Sequence, residues 1–314
     1  MHPAFSVIFF TTLAGAGQGL FLALYAAEWA SRLGWLAMPD QRLFIWGAVI
    51  AAGLSIIGLL ASFAHLGRPE RAWRTATMWR TSWLSREVIA LPAFIGLVLL
   101  YAAAHVWAPQ YSFFVGAATA VVCVALFLCT GMIYACIKFL REWASALTPI
   151  NFLLLGCASG GTLAAALAAV LAPQVAPFFA AGAIAFTIAG LVFRGASLVR
   201  NSQLKPKSTL QTAIGVKHPR IVQKSQGFMG GSFNTREFFH GRSAGFVRSV
   251  KWIFLLLAFV VPVLLLAAGL ASPTTAATLF LAAIVVQYIG LLAERWFFFA
   301  QANHPQNLYY QTVA

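Results

Sequence analysis

The chain has 314 residues, of which 61% are hydrophobic and 9% are charged. This composition excludes an ordinary soluble domain and indicates a polytopic membrane protein. The 21 Lys and Arg residues exceed the 7 Asp and Glu residues and give a net charge of +14, which favours contact with anionic lipid at a membrane surface over binding of nucleic acid.

Eight apolar segments are long enough to cross a bilayer, which requires about 20 apolar residues in a helix. The predicted fold is therefore all-α: a single integral membrane domain over residues 1–314 with eight transmembrane helices. The first segment lacks a positively charged leader and is predicted to be a transmembrane helix rather than a removable signal peptide. The segments are predicted at 4–30, 42–67, 86–108, 111–137, 148–173, 175–197, 250–271 and 274–300.

Small residues occur at four-residue spacing in two of these segments. Gly15 and Gly19 lie in the first, and Gly156 and Gly160 lie in the fifth. Because this spacing lets helix backbones approach closely, these glycines are predicted to support tight helix packing.

The basic residues are distributed unevenly among the connections. The segments that follow predicted helices 2, 4, 6 and 8 hold 19 of the 21 Lys and Arg residues, and the other connections hold only Arg32 and Arg42. By the positive-inside rule, both termini and the longer connections are predicted to be cytoplasmic. The expected location is the cytoplasmic (inner) membrane of a bacterium.

The connection between predicted helices 2 and 3 reads HLGRPERAWRTATMWRTSWLSRE, from His65 to Glu87. A helical hairpin places both ends at one membrane face, where ionisable groups are costly and are candidates for function. A histidine and a partly buried carboxylate can both exchange protons near neutral pH, so the pair can bind a quinone head group and carry its protons. Two simpler alternatives are that His65 only reaches towards the interface and that Glu87 pairs with Arg86 or Arg68.

The same connection carries Trp73, Trp79 and Trp83 between its arginines. Tryptophans interleaved with arginines are typical of a membrane interface, so a short amphipathic helix along the surface is predicted here. It would either cover the quinone pocket or serve only as an anchor.

Other polar residues lie within or at the ends of predicted helices. Gln18 is deep in the first helix, where an interhelical hydrogen bond is the commoner explanation and a place in the quinone pocket is the alternative. Glu294 and Arg295 end the eighth helix and are expected to pair with the basic face.

The connection over residues 199–249 is unusually long for a compact protein, which indicates a function. It combines Lys and Arg with Phe228, Phe233, Phe238 and Phe239, as docking surfaces do. Docking of a partner subunit is therefore predicted, with a basic loop lying against lipid as the alternative. The predicted docking residues, including two from the shorter basic connection, are Arg71, Arg74, Arg220, Lys224, Phe233 and Arg236.

The histidines do not fit a haem site. Only His65 and His105 lie at predicted helices, and they end antiparallel helices at opposite faces. A buried b-type haem needs paired histidines that meet, so this chain is predicted to hold no haem and no metal. Electrons are then expected to come from another subunit.

Four stretches resemble the dimethyl sulfoxide reductase anchor family, and the resemblance covers the whole chain. They are MHPAFSVIFFTTLAGAGQGLFLALY, HLGRPERAWRTATMWRTSWLSRE, KPKSTLQTAIGVKHPRIVQKSQGFMGGSFNTREFFHG and ERWFFFAQANHPQNLYY. The resemblance implies a haem-free anchor of eight helices. It also implies that the anchor holds a molybdopterin catalytic subunit and an iron–sulfur subunit and exchanges electrons with ubiquinone or menaquinone.

In this family, a histidine that ends helix 2 and a glutamate that starts helix 3 serve the quinone site, and here those positions are His65 and Glu87. The first and third stretches resemble the branch that serves cytoplasmic sulfite-oxidising complexes, which implies oxidation of sulfite to sulfate. Alternatives are a quinol-oxidising anchor of a dimethyl sulfoxide reductase, a structural anchor without quinone, and a transporter. The predicted quinone-binding residues are His65, Glu87, Arg68, Arg86, Ser85, Trp83 and Gln18; no residue of this chain is predicted to be catalytic by itself.

Overall fold

The computed structural model describes residues 1–64, 66–206, 208–222, 238–305 and 307. Over these residues the chain is helical and contains no strand. Among the described residues, eight helical spans are long and apolar enough to cross a membrane, which confirms the predicted number. The helices are α1 (Phe5–Arg32), α2 (Gln41–Phe63), α3 (Trp83–Trp107), α4 (Pro109–Ala135), α5 (Leu147–Leu171), α6 (Ala176–Ser202), the short α7 (Leu210–Ile214), α8 (Ala244–Leu255), α9 (Val261–Ala271) and α10 (Ala276–Ala300).

The ends of the helices follow local capping chemistry more than hydropathy. The Ser82 hydroxyl accepts the backbone N–H of Ser85 and starts α3, and the Ser243 hydroxyl accepts the N–H of Phe246 and starts α8. Such caps satisfy N–H groups that a helix leaves unpaired at its start. For this reason the seventh span begins six residues before its predicted start at residue 250. A π-helical turn over Leu256–Val260 joins α8 to α9 within this span.

α1 lies at the centre of the bundle, in contact with α2, α4, α5 and α10. It crosses α5 where glycines of the two helices face each other. A Cβ atom added to Gly19 would overlap the carbonyl group of Gly156, and one added to Gly160 would overlap the backbone of Gly19. The prediction of tight packing at these glycines is confirmed, and the partners are α1 and α5.

The connection from α2 to α3 contains the predicted short helix as a 3₁₀ helix, Pro69–Met78. Its Trp73 and the following Trp79 are exposed. Arginine side chains stack on these rings: the guanidinium of Arg74 lies 5.6 Å from the ring centre of Trp73, and that of Arg80 lies 5.4 Å from Trp79. Basic and aromatic side chains are therefore exposed together at the end of the bundle that contains the start of α3.

Candidate functional site

Glu87 lies in the second turn of α3 and is only 5% exposed. It shares a helix face with Leu91 and Phe94, which are also buried, because residues four and seven positions apart lie on the same side of a helix. The cap at Ser82 fixes where α3 begins, and the burial of these three side chains shows that this face points into the bundle. The hydroxyl of Thr130, on α4, donates a hydrogen bond to the Glu87 carboxylate.

The simpler alternative for Glu87, an ion pair with a neighbouring arginine, is wrong for the described residues. Arg86 instead donates hydrogen bonds to the carbonyls of Trp79 (2.9 Å) and Arg80 (2.8 Å). Its guanidinium lies 4.3 Å from the centre of the Trp83 ring. The buried carboxylate therefore has a neutral hydroxyl partner, an arrangement in which a proton can be gained or lost without breaking an ion pair.

The other predicted quinone-binding residues differ in how deeply they are buried. Ser85 is buried with Glu87, whereas Trp83 and Arg86 are half-buried and Arg68 is exposed. His65 lies outside the described residues, and so do three of the predicted docking residues, Lys224, Phe233 and Arg236, together with Phe228. The docking residues within the described range, Arg71, Arg74 and Arg220, are all exposed.

Behind Thr130, a cavity of about 30 Å³ lies between α1, α4, α5 and α10, and we call it the first cavity. Gln18, Thr130, Ser159 and Arg295 are among its polar lining residues. The amide nitrogen of Gln18 donates to the carbonyl of Ala14 (3.2 Å) in its own helix, so the predicted interhelical hydrogen bond does not form. A water needs roughly 10–15 Å³ of such space, so the first cavity is large enough for one or two waters and too small for a quinone ring.

Three charged residues form a buried cluster on the other side of the first cavity. The Glu294 carboxylate lies 2.6 Å from Nε of Arg194 on α6 and 2.7 Å from Nε of Arg295 on α10. These contacts are ion pairs without good hydrogen-bond alignment. The expectation that Glu294 and Arg295 pair with the basic face is therefore wrong in detail. Glu294 pairs with Arg194, which lies within α6 and is only 2% exposed, and Arg295 pairs with Glu294.

A third buried carboxylate, which the sequence reasoning missed, lies at the opposite end of the bundle. Glu28 of α1 is 1% exposed and accepts hydrogen bonds from Tyr101 (2.7 Å), Ser112 (2.7 Å) and Arg32 (3.1 Å), and Nε2 of His105 lies 3.7 Å away. These donors come from α1, α3 and α4, so the carboxylate joins three helices. The sequence contained enough information to single out Glu28, because an acidic residue inside an apolar segment is expected to be buried and paired with another polar group.

A larger groove of about 730 Å³ opens at the end of the bundle where α4 and α10 end, and we call it the terminal groove. Lys138, Arg141 and Lys205 are among its lining residues. Phe238, one of the predicted docking aromatics, stacks on the ring of His304 at 3.8 Å. Partial burial lowers the pKa of His304, which favours the neutral ring. Lys138, Arg141 and Lys205 supply the positive charge of the groove.

Together, the eight spans and the buried carboxylate at the start of α3 agree with the family expected from sequence. The family model for the DMSO reductase anchor subunit (DmsC) matches residues 1–301, and the chain belongs to this family. It is thus a multi-pass membrane anchor subunit of a molybdoenzyme complex. A relative from Allochromatium vinosum, which is itself a sulfite dehydrogenase subunit, is 52% identical to it over 328 aligned positions that cover the full length of both chains.

Proposed function

We propose that the chain is the quinone-reactive anchor of a complex that oxidises sulfite to sulfate. The placement of Glu87 carries the quinone part of this proposal, because a buried carboxylate held by the Thr130 hydroxyl can exchange protons at the edge of a membrane. The sulfite part is supported by the full-length similarity to a subunit of a sulfite dehydrogenase. Neither observation alone identifies both reactants.

The chemistry requires electrons and protons to reach quinone together. Sulfite and water give sulfate, two protons and two electrons at the molybdopterin subunit, and the electrons pass through iron–sulfur clusters of a second partner subunit. Quinone takes up the two electrons and two protons to become quinol. A positioned acid or base contributes typically 10²–10⁴-fold to such proton transfers. We assign this role to Glu87, with Thr130 holding its carboxylate in place and His65 as the predicted second proton carrier.

We also propose that the partners dock on the cytoplasmic side of the bacterial inner membrane. The basic connections, with exposed Arg71, Arg74 and Arg220 and the terminal groove, would face the cytoplasm under the positive-inside rule. Such a surface steers and binds an acidic partner. Protons for quinone would then enter from the same side on which sulfite oxidation releases them, so this subunit would move no net charge across the membrane.

The main alternative is the reverse reaction, in which the anchor oxidises quinol for a dimethyl sulfoxide reductase. The family description favours it, because the family takes its name from that enzyme. If the reductase subunits were exported, however, the basic docking surface would lie on the outer side of the membrane, which contradicts the positive-inside rule. A transporter is the weaker alternative, because the ionisable residues at the start of α3 and the basic connections gather at one end of the bundle.

The deciding experiment measures sulfite-dependent quinone reduction in sealed vesicles that contain the complete complex. Sulfite does not cross a bilayer readily, so we expect activity in inside-out vesicles and little activity in right-side-out vesicles until they are permeabilised. Quinol-dependent reduction of dimethyl sulfoxide is measured in parallel. Activity in the second assay alone would establish the reductase alternative and refute the proposed direction.

The docking surface gives a separate prediction. Reversing two charges with Arg220→Glu and Lys224→Glu should weaken attachment of the soluble subunits by at least about tenfold, because attraction is replaced by repulsion. The fraction of iron–sulfur and molybdopterin subunits that stays on washed membranes at moderate salt measures this effect. Arg42→Glu changes an exposed arginine at the opposite end of the bundle and should leave retention unchanged. Equal retention in all three proteins would exclude this docking surface.

A further inference from the structure

The buried cluster of Arg194, Glu294 and Arg295 has an unbalanced charge. Each residue is at most 4% exposed, and one carboxylate between two guanidinium groups leaves a net charge of +1. Keeping such a charge buried in a membrane protein costs considerable free energy, so the cluster is expected to have a function. The aromatic rings around it offset part of this cost: the Arg295 guanidinium lies 4.0 Å from the ring centre of Phe152.

The cluster is close to Glu87 along a polar route. Arg295 lines the first cavity, Thr130 lines the same cavity, and the Thr130 hydroxyl donates to the Glu87 carboxylate. One hydroxyl and one water-sized cavity therefore separate the positive charge from the proton-exchanging group. Charges interact more strongly in such an environment than in water, because the local dielectric constant is low.

We propose that the Arg194–Glu294–Arg295 cluster is a positioning element whose net charge sets the pH range in which Glu87 delivers protons to quinone. The proposal rests on the function proposed for Glu87. The cluster itself exchanges no electrons and forms no bond. Its positive charge stabilises the ionised carboxylate that remains after Glu87 gives its proton to an oxygen of the quinone that the partner's clusters reduce. A proton from solution, relayed by water, then returns to Glu87.

Other ionisable groups lie around this route, and any test has to leave these residues unmutated. Arg86 is next to Glu87 in α3, Cys129 and Tyr134 of α4 interact electrostatically with Glu87, and Glu142 lines a second small cavity on the far side of the cluster. The described linings of the first and second cavities contain no further charged side chain from α1 or α5. Changes within the cluster can therefore be made while these groups are kept.

The test is a series of variants that differ in the net charge of the cluster. Arg295→Gln lowers it from +1 to 0, Glu294→Gln raises it to +2, and the double variant restores +1. Quinone reduction by sulfite should fail at high pH, where Glu87 can no longer hold a proton. We expect this alkaline limit to move up in Arg295→Gln and down in Glu294→Gln by on the order of one pH unit, and to return towards its original value in the double variant.

Opposite shifts separate this role from a structural one, because damage to packing would impair both single variants alike. Arg295→Lys keeps the charge and should keep the original limit. Glu28→Gln removes an equally buried carboxylate at the other end of the bundle and should also leave it unchanged. Sulfite oxidation with a water-soluble dye acceptor reports the partner subunits, and its pH profile should be the same in every variant.

Two results would overturn the proposal: shifts of the same sign in the single variants, or unchanged limits in both. If Glu294→Gln does not accumulate in membranes, the proposal is tested by comparing Arg295→Gln with Arg295→Lys. Identical alkaline limits of quinone reduction in those two variants would refute the positioning role. Failure of the underlying function is distinguishable, because Glu87→Gln would then retain full quinone turnover. A blocked Glu87→Gln with unshifted cluster variants would refute the positioning role alone.

Discussion

Replacing Glu87 with Gln is expected to lower sulfite-dependent quinone reduction by about two orders of magnitude or more, with the complex still assembled. Glutamine keeps the size of the side chain and can still accept the hydrogen bond from Thr130, so no large cavity forms in the buried face of α3. It cannot carry a proton. The loss should therefore appear in quinone turnover and not in the amount of complex, and a steady-state assay with purified complex and a soluble quinone measures it.

The matched control is Glu70→Gln, which changes an exposed carboxylate in the connection before α3. This variant should have the quinone activity of the unmodified complex. Electron transfer from sulfite to a soluble dye should also be normal in Glu87→Gln, because that path ends before the quinone. Normal quinone turnover in Glu87→Gln would remove this residue from the site.

The second large effect concerns the contact between α1 and α5. Gly160→Val places a branched side chain where the backbone of Gly19 and Leu20 passes. A clash with backbone cannot be relieved by a change of rotamer, so the two helices must separate at the centre of the bundle. We expect the amount of folded chain in membranes to fall by about tenfold or more.

Gly53→Val serves as the comparison, because a Cβ atom on Gly53 of α2 would have no neighbouring atom within 4 Å. Its folded amount should stay close to that of the unmodified chain when both are measured by size-exclusion chromatography of a fluorescent fusion. Equal accumulation of Gly160→Val and Gly53→Val would mean that α1 and α5 do not pack through these glycines.

The number of spans was predictable because lipid imposes a simple rule on composition and length. The role of the small residues was also predictable, since two helix backbones can approach closely only where residues such as Gly19 and Gly160 carry no side chain. Which helices meet there was not, because four-residue spacing gives a packing face without naming its partner. Hydropathy likewise placed the start of the seventh span too late, since it does not register the cap at Ser243.

For the candidate site, the sequence pointed to Glu87 as a candidate and did not reveal the residues that surround it. Its partner Thr130 lies 43 positions away, and the contact depends on the rotation of α4 against α3. The ion pair between Arg194 and Glu294 was equally unpredictable. The two residues are 100 positions apart, and the sequence does not determine how their helices are rotated against each other. Glu28 was detectable from the rule that acidic residues in apolar segments need partners, although its donors on α3 and α4 were not.

The most direct test of the central claim is binding of a non-reducible quinone analogue, followed by the electron paramagnetic resonance spectrum of the nearest iron–sulfur cluster in the assembled complex. The analogue should change that spectrum in the unmodified complex, because the proposed site at Glu87 lies at the end of the bundle where we propose that the partner docks. The change should be lost or require at least about tenfold more analogue in Glu87→Gln, since that variant lacks the carboxylate that we propose contacts the head group. An unchanged spectrum in the unmodified complex, or the same titration in both proteins, would contradict a quinone site at Glu87.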